Sequence, residues 1–473
     1  MSYDAVVIGS GPNGLAAAIT IARKGRSVLV LEAADTIGGG MRSAELTLPG
    51  FVHDVCSAIH PLGVASPFFK GAELEKHGLH WIHPEIPLAH PLSDGTAAIA
   101  YQSLDRTREE FGVDGDAYQR LVQPLVIHAE HLFKQVLGPL RIPHHPLLMA
   151  KFGWHGMRSA NALAKSCFRQ DRVQGLFAGM AAHSILPLDR SLTAAVGLMF
   201  CITAHSGGWP LPRGGSQQIA AAMQRRLKAL GGEVTTGVEI KSLNDVPTSK
   251  AVFFDTSPQS LSAIAGDALP AGYRKKLDRF RYGPSVFKID WALDGPIPWK
   301  SAACRLAGTV HVGGNFDEVA AAEQSAWSNE PAERPFVLVA QQSLHDDSRA
   351  PSGKQTGWAY CHVPRGCRFD MTERIEAQLE RFAPGFRDLI LKRHVMAPRD
   401  FQHYNANYVG GDITGGVMDL RQLFARPVLR LSPYCTPAKN LFLCSASTPP
   451  GAGVHGMCGM HAAQAALRGI LRE

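Results

Sequence analysis

The chain has 473 residues, of which 45% are hydrophobic and 19% are charged, and its formal net charge is +7. This length and composition are those of a folded globular protein with room for two or three domains. The basic residues form no run interleaved with aromatics, and no nucleic-acid-binding module is recognisable, which argues against a nucleic-acid partner.

The N-terminal stretch holds the parts of a dinucleotide-binding βαβ unit in order. An apolar run over residues 5–8 predicts a buried strand, and a helix rich in Ala and Ile follows to about Lys24. The glycines between them have GxGxxG spacing, which allows a tight turn, close approach of a pyrophosphate and close packing of helix on strand. The residues predicted to bind the cofactor here are Gly9, Gly11, Pro12, Asn13 and Gly14.

A second strand is predicted from Ser27 to Leu31, and it ends at Glu32, where an acid binds ribose hydroxyl groups. The glycines at 38–40 and Arg42 resemble the GG(x)R continuation of FAD-binding oxidoreductases, which nicotinamide domains usually lack. We therefore predict FAD as the cofactor. The residues predicted to contact it in this segment are Glu32, Ala33, Gly39, Gly40, Met41 and Arg42.

From about Pro84 to Ala204 the pattern is mostly helical, interrupted by prolines, with few strand signals. Basic residues are in excess between Arg141 and Arg172, among large apolar residues such as Phe152 and Trp154. This mixture favours a solvated helical face over a core. The alternative interpretation is peripheral contact with an anionic membrane surface.

The next segments return to alternating helix and strand. An amphipathic helix after residue 216 ends at Gly231-Gly232, and strands are predicted at Glu233 to Ile240 and at Ala251 to Phe254. Strands dominate between about Gly283 and Pro398, which predicts a sheet forming the floor of a substrate chamber. Large apolar residues that line either this chamber or the core are Phe287, Trp291, Trp299, Phe336, Trp358 and Tyr360.

The last segment combines a strand, Leu441 to Cys444, with a glycine-rich loop. Its GxGxxG spacing does not indicate a second nucleotide domain, because too few residues remain after Gly456 for a helix, a strand and an acid. We predict instead a final helix whose positive end stabilises negative charge on the reduced flavin. The residues predicted at this end of the cofactor are Ser445, Gly453, Val454, His455, Gly456 and Met457.

With both ends considered, the chain resembles the bacterial-type phytoene desaturase and carotenoid-isomerase-like group of FAD-dependent enzymes, which have an amine-oxidase-like fold. The matching motifs are VVIGSGPNGLAAA, RGGSQQI and STPPGAGVHGMCG. The resemblance implies an α/β protein with a discontinuous Rossmann-like FAD-binding domain and a substrate domain of mixed sheet plus helices. It also implies that Val238 contacts the adenine side of FAD. The FAD-binding domain is predicted at 1–83, 205–282 and 399–473, and the substrate domain at 84–204 (helical insert) and 283–398 (sheet).

The terminal motif departs from the family pattern at Pro449-Pro450, where the family has His-Pro, and at His455, where it has Pro. His455 is a candidate catalytic acid or base beside the flavin, and the alternative is a helix-cap residue that shapes the loop. His205 is a weaker candidate. Ala446 stands where related amine oxidases carry an acid.

We predict a phytoene desaturase-like, FAD-dependent oxidoreductase that moves a hydride between an apolar, polyene or isoprenoid-like substrate and flavin N5, in desaturation or isomerisation. The alternatives are a flavin amine oxidase and a flavin-binding, membrane-associated scaffold without turnover. The nine cysteines show no metal or disulfide spacing, so no metal site is predicted. With no visible secretory signal and no long apolar span, we expect a cytoplasmic location, with membrane association as the open alternative.

Overall fold

A computed structural model describes residues 2–472. In chain order the strands are β1 Tyr3–Ile8, β2 Val28–Leu31, β3 Ser43–Glu45, β4 Val52–Asp54, β5 Trp81–Ile82, β6 Ile86–Pro91, β7 Ala97–Ala100, β8 Leu211–Pro212, β9 Glu233–Thr235, β10 Ser249–Phe254, β11 Ser285–Leu293, β12 Ala307–Val312, β13 Val337–Ala340, β14 Gln355–Val363, β15 Ile390–Met396 and β16 Leu441–Leu443. The α-helices are α1 Pro12–Ala22, α2 Pro61–Ala65, α3 Pro67–Ala72, α4 Leu104–Glu110, α5 Gly115–Val126, α6 Ala129–Val136, α7 Pro146–Gly156, α8 Ala160–Cys167, α9 Asp171–Ala182, α10 Thr193–Ser206, α11 Gln217–Ala229, α12 Pro258–Ala265, α13 Ala271–Asp278, α14 Phe316–Ser325, α15 Thr372–Phe382, α16 Pro398–Tyr404, α17 Leu420–Phe424 and α18 Met457–Leu467.

The first sheet is parallel, with strand order β16-β10-β1-β2-β9. Its strands come from three separate parts of the chain, so the Rossmann-like unit is discontinuous, as predicted. Helix α1 packs against both β1 and the last helix α18. Gly459 permits this contact, because a Cβ there would lie 1.8 Å from the Asn13 carbonyl oxygen. The two ends of the chain therefore meet beside the first sheet.

The second sheet has seven strands in the order β15-β11-β14-β13-β12-β6-β7. Its side chains alternate between two faces, as a pleated sheet requires. One face, which includes Phe287, Ile289 and Trp291 of β11, forms an apolar core with residues of α15 such as Ile375 and Leu379. The opposite face turns toward the interior of the molecule. All nine residues of β11 are buried.

Two local expectations differ from the structure. The region 84–204 is mostly helical but also contains β6 and β7, which join the second sheet. Pro87 and Pro91 within β6 weaken its strand signal. The strand expected at Glu233 to Ile240 ends at Thr235, because Gly237 takes a φ of +71° that turns the chain. The domain boundaries remain a prediction, and the one at residue 205 lies inside α10.

Other predicted elements coincide with the structure. Strands are expected to dominate between about Gly283 and Pro398, and β11 to β15 all lie in this segment. Their residue pattern is a local signal that can be read from the sequence. Among the helices within residues 2–472, none is both long and apolar enough to cross a membrane.

Candidate cofactor and substrate site

A cavity of about 1060 Å³ is lined by residues of both sheets. At one end its wall is formed by the glycine loop after β1, the end of β2 and Asp255 after β10. These are the carboxyl ends of parallel strands, where doubly wound sheets bind nucleotides. At the other end the wall is formed by α7, α10 and the interior face of the second sheet. The cavity thus joins a nucleotide-type site to an interior chamber.

The glycine loop has the geometry of a pyrophosphate cradle. Gly9 has a φ of +99°, and a Cβ on Gly14 would lie 2.1 Å from the Gly9 carbonyl oxygen. Helix α1 begins at Pro12, which has no N–H group, and the Gly14 N–H donates to Asp255, so the Asn13 N–H is the donor that the first turn of α1 can offer to an anion. The Oδ1 atom of Asn13 is buried without a hydrogen-bond partner within residues 2–472. Gly9, Gly11, Pro12 and Asn13 line the cavity, and Gly14 lies behind them.

Glu32 is buried at the end of β2 and lines the cavity. Its carboxylate accepts hydrogen bonds from the Ser10 N–H (2.9 Å), the Ala34 N–H (3.0 Å) and Arg42 Nη2 (3.2 Å). Arg42 lines the cavity and forms an ion pair with Glu32, and its contact with FAD remains a prediction. The Arg42 guanidinium also lies 5.2 Å from the centroid of the Tyr404 ring.

Most of the other residues predicted for the nucleotide end of the site lie on the cavity wall. Ala33, Gly39 and Gly40 line the cavity, as does Val238, whose N–H donates to the Glu32 carbonyl oxygen over 2.9 Å. Met41 is fully buried and lies outside the wall. Binding of FAD by each of these residues remains a prediction.

Asp255, which directly follows β10, is a residue of the site that sequence reasoning missed. Its Oδ2 atom accepts a hydrogen bond from the Gly14 N–H over 2.8 Å, and a Cβ on Gly11 would lie 2.6 Å from that oxygen. Burial raises the pKa of Asp255 to about 7, against the opposing effect of the Gly14 hydrogen bond. A carboxyl group with this pKa is partly protonated near neutral pH, which lessens its repulsion of a nearby phosphate.

The C-terminal loop splits into two parts. Ser445, Gly453 and Val454 line the cavity. Gly453 has a φ of +119°, and a Cβ there would lie 2.9 Å from Leu62. Gly456 and Met457 lie behind the wall at the start of α18.

His455 is fully buried and is not on the cavity wall. Its Nδ1 atom accepts a hydrogen bond from the Met457 N–H over 3.0 Å, and its carbonyl oxygen accepts one from the Ser66 hydroxyl over 2.6 Å. Burial lowers the pKa of His455 to about 4, so the ring is neutral at physiological pH. An acid or base acting on substrate needs access to the cavity, so this placement favours the helix-cap role over the catalytic one.

Lys288 is a cavity residue that sequence reasoning missed. It is 1% exposed on β11, and its Nζ atom forms an ion pair with Asp290. Asp290 Oδ1 lies 3.6 Å from His53 Nδ1, and Lys288 Nζ lies 5.7 Å from the centroid of the Trp358 ring. A Lys and an Asp two residues apart in an otherwise apolar strand share one face, and buried charges of this kind are costly unless they are used. This pair of charged residues in an apolar strand is the signal by which Lys288 could have been found in the sequence.

The chamber beside Lys288 is mainly apolar. Of the six large residues considered in the sequence, Trp358 and Tyr360 line it, whereas Phe287, Trp291 and Trp299 lie in the core beneath the sheet and Phe336 lies off the wall. His205 also lies off the wall, and its Nε2 atom is 2.8 Å from the Tyr118 hydroxyl. Further apolar wall residues from the helices are Met149, Phe152, Leu192, Val196, Met199 and Phe200.

Comparison with known proteins agrees with this geometry. The family model of an NAD(P)-binding Rossmann-like domain matches residues 7–72. The chain is 25% identical to pyridine nucleotide-disulfide oxidoreductase domain-containing protein 2 of Rattus norvegicus, over 99% of the chain and 94% of that protein. It is 24% identical to the lycopene-forming phytoene desaturase of Pantoea ananas, over 98% of each. A triple mutant of putrescine oxidase superposes with a TM-score of 0.63 at 18% identity, over 99% of both chains.

The fold is therefore amine-oxidase-like, and the resemblance to phytoene desaturases is confirmed at the level of distant, full-length similarity. Together these findings show that the chain is distantly similar, over its full length, to oxidoreductases that include phytoene desaturases, and that it has the fold of amine oxidases. The Rossmann-like N-terminal unit implies a flavin or nucleotide cofactor.

Proposed function

We propose that this protein is an FAD-dependent, phytoene desaturase-like oxidoreductase that transfers a hydride between an apolar, polyene or isoprenoid-like substrate and flavin N5, in desaturation or isomerisation. One observation carries the proposal: the cavity that begins at the glycine loop continues into an apolar chamber that contains Lys288. Bound FAD would supply the hydride-accepting centre. The protein supplies binding, orientation and charge.

The residues present fit FAD. The glycine loop leaves space for a pyrophosphate, the Asn13 N–H at the start of α1 can donate to it, and the unpaired Asn13 Oδ1 can accept a hydrogen bond from a hydroxyl group of the cofactor. Glu32 lies at the strand end where a ribose hydroxyl pair is bound. The C-terminal loop around Gly453 forms a further part of the same cavity wall.

The chain's own groups have defined tasks in such a reaction. The apolar walls exclude water from the reacting carbon atoms. The Lys288 ammonium, held by Asp290, places a positive charge and hydrogen-bond donors at the chamber wall. Desaturation removes a hydride and a proton from neighbouring carbons: the hydride would go to the flavin, and the proton would go to the Lys288 amine after its ammonium proton has moved to Asp290. An external electron acceptor then restores the oxidised cofactor.

The first test is reconstitution followed by a substrate screen. We expect the purified protein to take up FAD and show the absorption spectrum of oxidised flavin, and we expect isoprenoids or polyenes to bleach it under anaerobic conditions. Failure to bind FAD would refute the proposal. The fold shared with putrescine oxidase makes amine oxidation the second candidate. Bleaching by amines and not by isoprenoids would establish that candidate instead.

Peripheral binding to an anionic membrane is proposed for the rim of the chamber. The rim patch consists of exposed apolar side chains with basic residues among them, namely Leu140, Arg141, Ile142, Leu147, Lys151, Trp154, Met157 and Arg158. Leu140, Arg141 and Met157 also line the cavity, so the patch borders its wall. Apolar side chains inserted among headgroups, with Arg and Lys facing anionic lipid, are typical of interfacial helices. An apolar substrate would then enter from the bilayer.

The double substitution Leu147→Ser with Trp154→Ser is expected to reduce binding to phosphatidylserine-containing vesicles by at least about tenfold, because two exposed apolar anchors are lost. Co-sedimentation measures the bound fraction. Val113→Ser, at another exposed apolar residue outside the rim patch, serves as the control and should leave binding unchanged. Equal sedimentation of wild type with and without vesicles would contradict the membrane proposal.

A further inference from the structure

A second group of polar residues lies on the chamber wall at β12, three strands away from Lys288 on β11. The strand register shows the spacing: Lys288 pairs with Tyr360, Tyr360 with Leu338, and Leu338 with His311 on successive strands. Three strand spacings separate Lys288 from His311, which is about 14 Å. The polar group at His311 is therefore too far away to belong to the Lys288 and Asp290 pair.

His183 and His311 form the centre of this group. His183 follows α9, lines the cavity and is stacked on Phe200, with ring centroids 4.2 Å apart. Its Nε2 atom lies 3.1 Å from Nε2 of His311. Gly179 of α9 makes room for the pair, because a Cβ there would lie 2.6 Å from His311 Nδ1. The helix and the sheet are thus shaped to bring the two rings together.

The two rings share one hydrogen bond. Burial lowers the pKa of His183 to about 3 and that of His311 also falls below its ordinary value, so both rings are neutral. In such a pair one Nε2 donates and the other accepts. His183 Nδ1 makes no hydrogen bond with any residue between 2 and 472, and the tautomer of the pair decides whether this atom donates or accepts.

Two residues with hydroxyl groups neighbour the histidine pair along their own segments of the chain. Ser184 follows His183 directly, and Thr309 is two residues before His311 on the same face of β12. Both residues are buried and both line the cavity. Within the described part of the chain neither hydroxyl oxygen has a hydrogen-bond partner. Buried polar atoms are almost always paired, so unpaired ones at a cavity wall indicate a partner inside the cavity.

We infer that His183, Ser184 and Thr309 form a polar subsite that binds a hydroxyl or carbonyl oxygen of the substrate. The substrate class is then an oxygenated apolar chain, such as an isoprenoid alcohol or its carbonyl derivative, and not a plain hydrocarbon. A hydroxyl group complements a ring nitrogen that can either donate or accept. This inference deepens the proposed function and rests on it for the apolar remainder of the substrate.

The inference is tested by binding, so that its outcome is independent of turnover. The FAD-reconstituted protein is titrated by calorimetry with geranylgeraniol and with the hydrocarbon that has the same carbon chain without the hydroxyl group. We expect the alcohol to bind about tenfold more tightly, the effect of one buried hydrogen bond. Equal affinities would overturn the subsite and would mean that the polar wall holds only water. Absence of flavin bleaching by any isoprenoid would instead refute the proposed function.

Substitutions of the subsite residues can distinguish a loss of substrate recognition from a loss of folding. His183→Phe retains an aromatic ring for stacking on Phe200 but removes the free nitrogen, and it should abolish the preference for the alcohol while leaving hydrocarbon binding unchanged. Thr309→Val has the same shape without the hydroxyl group and should reduce the preference. His183→Gln should keep part of it. Thermal unfolding identifies misfolded variants, and a well-folded His183→Phe protein that still prefers the alcohol tenfold would refute the assignment of His183.

Discussion

Substitution of Gly14 by valine is expected to abolish retention of FAD. A Cβ at this position would lie 2.1 Å from the Gly9 carbonyl oxygen and 3.0 Å from Asp255 Oδ2, so α1 would have to move away from β1. That movement would also break the hydrogen bond from the Gly14 N–H to Asp255. The loop would then lose the shape that admits a pyrophosphate. The flavin-to-protein ratio after gel filtration measures the effect.

Gly272→Val is the matched control for this prediction. Gly272 lies in α13, and a Cβ there meets no atom within 4 Å. The control protein should retain FAD at the wild-type ratio, and circular dichroism should show that both variants keep their helices. A Gly14→Val protein with a full complement of flavin would place the dinucleotide away from the glycine loop.

Replacement of Lys288 by methionine is expected to slow substrate-dependent flavin reduction by about 100-fold or more, as removal of a positioned acid–base or charged group does. Methionine fills similar space without the ammonium group. Because this change leaves Asp290 buried without its ion-pair partner, the double variant Lys288→Met with Asp290→Asn keeps the fold testable. FAD should remain bound, because neither residue belongs to the glycine loop. Anaerobic stopped-flow spectroscopy measures the reduction rate.

Lys354→Met is the control for Lys288. Lys354 also forms an ion pair with an aspartate, Asp294, but both side chains are well exposed to solvent. Surface pairs of this kind contribute little to stability, so the control should reduce flavin at the wild-type rate. A Lys288 variant that is folded, flavin-loaded and as fast as wild type would show that the ammonium group has no part in the reaction.

The N-terminal half of the cofactor site could be predicted from the sequence because it is local. β1, the glycine loop, α1 and β2 follow one another, and each is encoded by the periodicity or turn chemistry of its own residues. The role of Asp255 could not be predicted in this way. It reaches Gly14 only because β10 pairs with β1, a contact between distant parts of the chain.

The residues around the apolar chamber, in contrast, could not be predicted from the sequence. His183, Lys288 and Thr309 lie on different elements, and no spacing in the sequence connects them. They share a wall only after the second sheet has formed and α9 has packed on it. His455 was a catalytic candidate because it lies in the C-terminal glycine motif. The direction of its side chain depends on packing, however, and in the structure its ring points toward the start of α18. The burial and the direction of a side chain are set by tertiary packing and cannot be read from local sequence.

The contact between α1 and α18 also has a consequence for biosynthesis. The ribosome makes α18 and the loop before it long after α1, on the order of tens of seconds later at ordinary elongation rates. Until then the α1 surface that receives Gly459 stays uncovered. Cofactor captured before α18 is made would therefore lie in an incomplete site, and we expect stable capture only after α18 has packed on α1. Flavin loading would thus report that this contact has formed.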